Sequence, residues 1–286
     1  MESIVPQLIN GLLAGSIYAL IALGLTMTFG ILGVVNFAHG EIMMVGSYVA
    51  FIVAAGLGVN FFIALVIAIL AVAALGWIIE RSTFRYTREL PMNGLIMSIG
   101  LVAIIQNGVM SVFGVDVRSI RPTFPESISL FGASFAGQRL FAFLLIVGLM
   151  IGFQLFLKRV KTGKGIRAVA QNSEAAALMG INVDRVMLFS FVIGAALAGI
   201  AGALVATMFI VTPFIGVSYV LKGFVVIVLG GLGSIPGAIL GAFILGIVES
   251  FGAGYISTSI KDGFGFALLL LVLFLRPSGL LGRQSR

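Results

Sequence analysis

The sequence contains no cysteine. That excludes a disulfide framework, a thiolate metal site and a cysteine nucleophile, and it leaves the redox compartment unread. Histidine occurs once, at His39, so neither a histidine cluster nor an H-E-x-x-H pair can hold a catalytic metal. Charge is scarce as well. Asp, Glu, Lys and Arg make up 9% of 286 residues, against about 25% in soluble domains, so a solvated surface cannot account for this chain. A nucleotide-binding loop is missing. Its nearest approach, Thr162-Gly163-Lys164-Gly165, lacks both the first glycine and the hydroxyl after lysine that a phosphate cradle needs. No serine has a neighbouring base pattern, and no enzyme reading survives.

What is present is apolar. Hydrophobic residues reach 60%, with 38 glycines and 24 phenylalanines, a composition suited to packed membrane helices. About 20 helical residues cross a hydrocarbon core of about 30 Å, and stretches of that kind recur. They run over about Leu8–Phe29, Ile42–Leu57, Phe61–Ile79, Met92–Phe113, Leu140–Leu157 and Val186–Val211. Shorter ones follow at Tyr219–Leu232, Ala238–Phe251 and Gly263–Leu275. Glu80–Leu90, Gly114–Gln138 and Lys158–Arg185 are polar connections. Met1–Asn10 holds Glu2 and no basic residue, so the first apolar stretch is expected to be a permanent span and not a cleaved leader. The fold class is an all-α polytopic helical bundle of eight or nine membrane segments with a broken or re-entrant helix, forming a single domain over 1–286.

Charge decides between eight and nine. If Gly231–Gly237 turns at the cytoplasmic face, twelve of the seventeen basic residues lie inside. They are Arg81, Arg85, Arg88, the five from Lys158 to Arg167, Arg185, Arg276, Arg283 and Arg286. Arg118, Arg121, Arg139, Lys222 and Lys261 fall outside. Inside positions are expected to carry the excess of Lys and Arg, which favours nine crossings. A re-entrant segment buried in protein gives the same parity.

Few polar residues interrupt the spans, and such residues are the functional candidates. Asn36, His39 and Glu41 fall together between the first two spans, on the side this topology makes cytoplasmic. They read either as a turn with Glu41 favouring the next helix start or as part of a translocation path. Gln106 and Asn107 lie mid-span and either face a path or join helices by hydrogen bonds. Glu249 and Lys222 are placed to form an intramembrane ion pair, or to contact substrate. Gly11 and Gly15, and Gly233, Gly237 and Gly241, recur at four-residue steps, a pattern for close helix packing. The scarcity of intramembrane carboxylates argues against an ion-coupled pump. No metal site is expected.

The connection Lys158–Arg185 is the most polar part of the chain. Helix formers follow Gly165, Ser173 and Glu174 suit the start of a second short helix, and Gly180 suits its end. Ala168, Ala175, Ala176, Ala177, Leu178 and Met179 offer a small apolar face, with Arg167 and Glu174 adding charge. Its moment reads as modest, so a soluble protein partner fits it better than a lipid surface.

Glu174-Ala175-Ala176, three further residues and Gly180 resemble the EAA coupling motif of bacterial ABC importer permeases, without that motif's proline-containing tail. Together with Gly11–Tyr18, Asn36–Glu41, Gly165–Gly180 and Gly230–Gly241, the whole chain resembles the branched-chain amino-acid permease family of the LivH type. The resemblance implies an importer subunit in a bacterial inner membrane. It implies a homologous second permease of the LivM type, two ATP-binding subunits that carry ATP and Mg, and a periplasmic amino-acid-binding protein. It implies coupling to the ATPase through Arg167, Glu174, Ala175, Ala176 and Gly180. This chain would itself hold no cofactor and bind no nucleic acid, and its remaining partner is membrane lipid. Urea-type permeases are the near relatives that the sequence separates poorly; a passive channel and a structural subunit are the readings from other classes.

The charge distribution makes a topological prediction. Reporters fused after Arg85, after Arg167 and at the C-terminus are expected to read as cytoplasmic, and one at Arg121 as external. An external C-terminal signal would remove the nine-crossing arrangement.

Overall fold

The computed structural model describes residues 4–88, 90–124, 126–130 and 133–282; Arg283 and Arg286 lie outside them. α1 (Ile4–Leu32), α2 (His39–Phe51, continued by a π-helical turn Ile52–Gly56), α3 (Phe61–Ser82) and α4 (Pro91–Phe113) form the first half. A β-hairpin of β1 (Ser127–Leu130) and β2 (Ala133–Ala136) leads into α5 (Gly137–Arg159). Two short helices, α6 (Lys161–Gln171) and α7 (Ser173–Leu178), precede the second half. That half is α8 (Val183–Met208), α9 (Ile215–Gly230), α10 (Ile235–Tyr255) and α11 (Lys261–Leu275). Among the described residues seven helices are long and apolar enough to cross a membrane; α9 is shorter, with 16 residues, and α11 has 15. The nine apolar stretches of the sequence are therefore all helical.

Local chemistry sets several boundaries. Asn60 Oδ1 accepts from Phe62 N–H at 2.8 Å and starts α3, Pro91 occupies the first turn of α4, and Ser234 Oγ accepts from Gly237 N–H at 3.2 Å at the start of α10. Side-chain oxygens of this kind satisfy amides that a helix start leaves open. Gly231 and Gly233 adopt φ of 105° and 77°, which L side chains resist. The turn between α9 and α10 depends on them. It joins two antiparallel helices, as Gly230 packed against Gly237 and Ala238 shows.

Glycine also sets the helix spacing. A methyl group added at Gly11 would lie 2.7 Å from Ile247 Cα, and one at Gly15 2.9 Å from Phe243 Cα. α1 and α10 therefore meet backbone to backbone, and α3 and α8 also approach closely, since a methyl on Gly199 would lie 3.0 Å from Val72 Cβ and 3.3 Å from the Ala68 carbonyl. The two halves repeat one arrangement of helix, break and helix. α1 crosses α8 at Gly24 and Gly194, and the start of α2 meets the start of α9 at Gly40 and Gly216. Each half thus has a long helix, an irregular break (33–38 or 209–214) and a helix that begins inside the bundle.

The ends of the bundle sort the polar connections. The C-terminus of α1, the α9–α10 turn, α6 and Leu281 surround one cavity, and Arg88, just past the 3-10 turn Phe84–Thr87 that follows α3, pairs with Asp184 at the start of α8. At the opposite end, Arg118 pairs backbone to backbone with Val211 at 2.9 and 2.7 Å. Arg88 and Arg118 thus lie at different ends of the bundle. The connection 114–138, read from the sequence as a polar loop, is more ordered than that. Besides its hairpin, buried Gln138 accepts from Thr123 N–H at 3.1 Å and Phe124 N–H at 3.3 Å and donates to Thr207 at 2.8 Å, fastening the loop to α8.

Substituting Gly15 by Val is expected to cost about 1–3 kcal/mol through overpacking against backbone. Gly148→Ala, where nothing lies within 4 Å, is expected to stay within about 0.5 kcal/mol. Thermal unfolding of detergent-purified variants checks the contrast.

Candidate functional site

Asn36, His39 and Glu41 do not lie at a surface turn. All three are buried, at 2%, 1% and 1% exposure. A methyl on Gly24 would meet the His39 ring at 2.6 Å and the Gly194 carbonyl at 2.9 Å, and both glycines are interior to their helices. A methyl on Gly216 would lie 2.8 Å from Glu41 Oε1. The expected cytoplasmic position is thus corrected: the run sits inside the bundle, because the chain after α1 turns back and α2 starts there. Both Asn36 side-chain polar atoms, His39 Nε2 and both Glu41 carboxylate oxygens have no protein partner. Glu41 lies in the first turn of α2 and beside the first turn of α9, where helix dipoles favour negative charge.

α4 supplies hydrogen-bonding groups to the two breaks. Ser98 Oγ accepts from Phe37 N–H at 3.2 Å, and Gln106 Nε2 donates to the Pro213 carbonyl at 3.3 Å. Irregular backbone at membrane depth is tolerated where protein satisfies it, and these two side chains contribute to that. Ser98 is absent from the candidates read from the sequence, where nothing separates it from other hydroxyls within the helices. Gln106 and Asn107 have different surroundings. Asn107 is exposed, donating to its own helix at Ala103 O over 2.7 Å, and Ser111 donates to Asn107 O at 2.8 Å.

Lys222 and Glu249 are brought together. Lys222 Nζ lies 2.6 Å from Glu249 Oε1 and 2.7 Å from Asp262 Oδ1. Tyr18 donates to Glu249 Oε2 at 2.7 Å, its ring lies 5.1 Å from Lys222 Nζ, and Lys261 stands 3.7 Å from the same carboxylate. One buried carboxylate thereby ties α1, α9, α10 and α11.

The segment between α5 and α8 divides its work. Gly163, Ile166 and Val169 form one buried face of α6, so α6 is strongly amphipathic, contrary to the modest moment read from the sequence. That face is used within the protein: Gly163 packs against Phe156 and Leu157 of α5. Arg167 and Gln171 point to a cavity of about 470 Å³ shared with Thr26, Gly30, Gly233 and Pro236. The start of α7 is fixed by Asn172 and not by Ser173; Asn172 Oδ1 accepts from Ala175 N–H at 2.8 Å. Gly180 adopts φ 82° just past the helix end. Of the apolar face expected here, Ala176 is buried and Ala168 partly so, whereas Leu178 and Met179 stand 90% and 83% exposed. Glu174, Ala175 and Gly180 are exposed beside them.

Removing one partner from a buried ion pair costs about 3–5 kcal/mol, whereas an apolar replacement of both is often near neutral. Lys222→Met is therefore expected to destabilise strongly, Lys222→Met with Glu249→Leu to recover most of the loss, and Asp262→Asn, at a largely exposed carboxylate, to cost under about 1 kcal/mol. Thermal unfolding of the three variants checks the order.

Known proteins are similar to this chain along nearly its whole length. The family profile described as "Branched-chain amino acid transport system / permease component" matches residues 7–273. The chain is 40% identical to the high-affinity branched-chain amino acid transport system permease protein LivH of Salmonella typhimurium, over 98% of this chain and 96% of that one. It is 39% identical to the corresponding permease protein BraD of Pseudomonas aeruginosa, with the same coverage. Similarity extends to the permease protein LivM of Escherichia coli, at 28% identity over 93% of this chain and 68% of that one. Among solved structures, a chain of PsaBC from Streptococcus pneumoniae in complex with Fab is similar in fold, with TM-score 0.50, 14% identity and coverage of 94% and 91%. With the helices, the paired breaks and a family match over nearly the full length, this chain belongs to the permease-component family of branched-chain amino acid transport systems.

Proposed function

We propose that this chain is the membrane permease of an ATP-driven bacterial importer for leucine, isoleucine and valine, set in the inner membrane. Near-complete matches to permeases whose names carry that activity support the substrate class. The single structural observation that carries the mechanism is α7 and its exit. Leu178 and Met179 are large, apolar and exposed, while the helix before them is locked into the bundle by Ile166 and Val169. A rigidly mounted knob of this kind suits a groove on a soluble ATP-binding subunit. ATP and Mg belong to two such subunits. Arg167, Glu174, Ala175, Ala176 and Gly180 complete the coupling region, and Arg167 links it to the cavity beside α1 and the α9–α10 turn.

A second permease of related sequence is the expected neighbour in the membrane. The outward side of α4 exposes Gly100, Ala103, Asn107, Gly108 and Ser111, small and polar groups that favour helix association over lipid contact. In this reading Asn107 faces the path formed between the two permeases. Asn36, His39 and Glu41 belong to the same path on the inner side of α4, at the helix starts of α2 and α9. Helix ends inside the membrane are where transporters place polar substrate groups. A periplasmic binding protein delivers the amino acid and supplies the selectivity.

The test uses the assembled transporter in liposomes, with leucine uptake and ATP hydrolysis read together. Leu178→Asp with Met179→Asp is expected to leave membrane insertion intact. It should lower substrate-stimulated ATP hydrolysis more than ten-fold, as loss of a hot spot worth about 2–4 kcal/mol would. Unaltered stimulation would remove α7 as the docking element, and absence of branched-chain uptake by the wild type would remove the substrate class.

A further inference from the structure

At the end of α3 the chain gathers four arginines around a cavity of about 190 Å³, closed on the other side by the start of α8. Glu80 and Asp184, the two carboxylates lining it, are both engaged by Arg88. Arg81, Arg85 and Arg185 also line it and are exposed; among the described residues none of the three has a carboxylate partner. The Arg88 Nε is buried with no acceptor. The cavity thus has a surplus of positive charge and of guanidinium donors.

Its flank is apolar. Trp77 lies one turn before Arg81, whose guanidinium carbon stands 5.9 Å from the indole centroid. Trp77 and Ile78 are exposed on α3, as is Phe189 on α8, next to the cavity-lining Leu188. Cations and an exposed indole above a wall of exposed aliphatic and aromatic side chains mark the depth at which hydrocarbon gives way to headgroups. The basic-residue distribution places this end at the cytoplasmic leaflet, whose surface is anionic.

We propose that this cavity binds the phosphodiester headgroup of an anionic phospholipid such as phosphatidylglycerol, with acyl chains lying along Trp77, Ile78 and Phe189. Guanidinium forks match phosphate oxygens in pairs, and Arg85 and Arg185 approach the headgroup from the α3 and α8 sides. The lipid then spans the junction that Arg88 already bridges between Glu80 and Asp184, and it holds the two helix ends together. A soluble anion would use the arginines but not the apolar flank.

The test is native mass spectrometry of the full-length chain, delipidated in neutral detergent. It is titrated with phosphatidylglycerol, with phosphatidylcholine of the same acyl chains, and with glycerol 3-phosphate as the headgroup alone. The wild type is expected to retain phosphatidylglycerol at least about 5-fold better than phosphatidylcholine, and to melt at a higher temperature in its presence. Each arginine near the surface accounts for about a 5-fold factor, so Arg85→Gln with Arg185→Gln should abolish the preference. Arg85→Lys with Arg185→Lys should keep part of it, and Arg139→Gln at the other end should leave it intact. Equal retention of the two lipids, or a preference unchanged in the double Gln variant, overturns the proposal. Competition by glycerol 3-phosphate at the same concentration as the lipid makes this a soluble-anion site and also overturns it. The variants sit on exposed side chains, and an unchanged melting temperature without lipid shows that folding is not the cause.

Discussion

Hydrocarbon offers no partner to a backbone amide or carbonyl, and the architecture is organised around that constraint. Most of the chain meets it by being helical. The two breaks, 33–38 and 209–214, do not, and side chains and neighbouring backbone contribute partners there. Ser98 accepts from Phe37 N–H, Gln106 donates to the Pro213 carbonyl, and Val211 pairs with Arg118. α4, which is otherwise little buried, is thereby held against the bundle by two polar contacts at the places where the backbone needs them.

Because the breaks exist, α2 and α9 can begin inside the protein, and Gly40 and Gly216 let those beginnings touch. Absence of a side chain at these two positions has a functional corollary. It brings two positive helix ends beside Glu41, in a region where an unpaired carboxylate would otherwise be expensive. The same economy of volume at Gly11 and Gly15 draws α1 against α10, which brings Tyr18 to Glu249 and allows one carboxylate to serve four helices. Packing and electrostatics are therefore not separate here. Close approach creates the buried polar cluster, and the cluster fixes the approach.

The end of the bundle that carries α6 and α7 follows a different logic, since much of it is exposed. α6 gives its apolar face to the bundle and leaves Arg167 free to meet the cavity; α7 presents Leu178 and Met179 outward. The two adjacent helices are joined by Asn172 alone.

Composition and hydropathy alone determined that the chain is a helical membrane bundle. The basic residues supplied an expectation for which connections share an end, because lipid excludes charge and the leaflets treat it unequally. The residues from Arg167 to Gly180 and from Asn36 to Glu41 carried the family likeness, since those polar groups interrupt an otherwise uniform apolar text. Tertiary structure alone decided where the polar groups sit. Asn36, His39 and Glu41 look like a surface turn in one dimension, and only the packing of Gly24 on Gly194 puts them inside. Leu178 and Ala176 look like one face, and only the seating of α6 on α5 separates the exposed from the buried. Ser98 has no distinguishing signal, because its partner, the Phe37 amide, is left open by a break whose depth depends on helices far away in sequence. Hydrophobic pattern reports a segment's solvent; it does not report which other segment stands beside it.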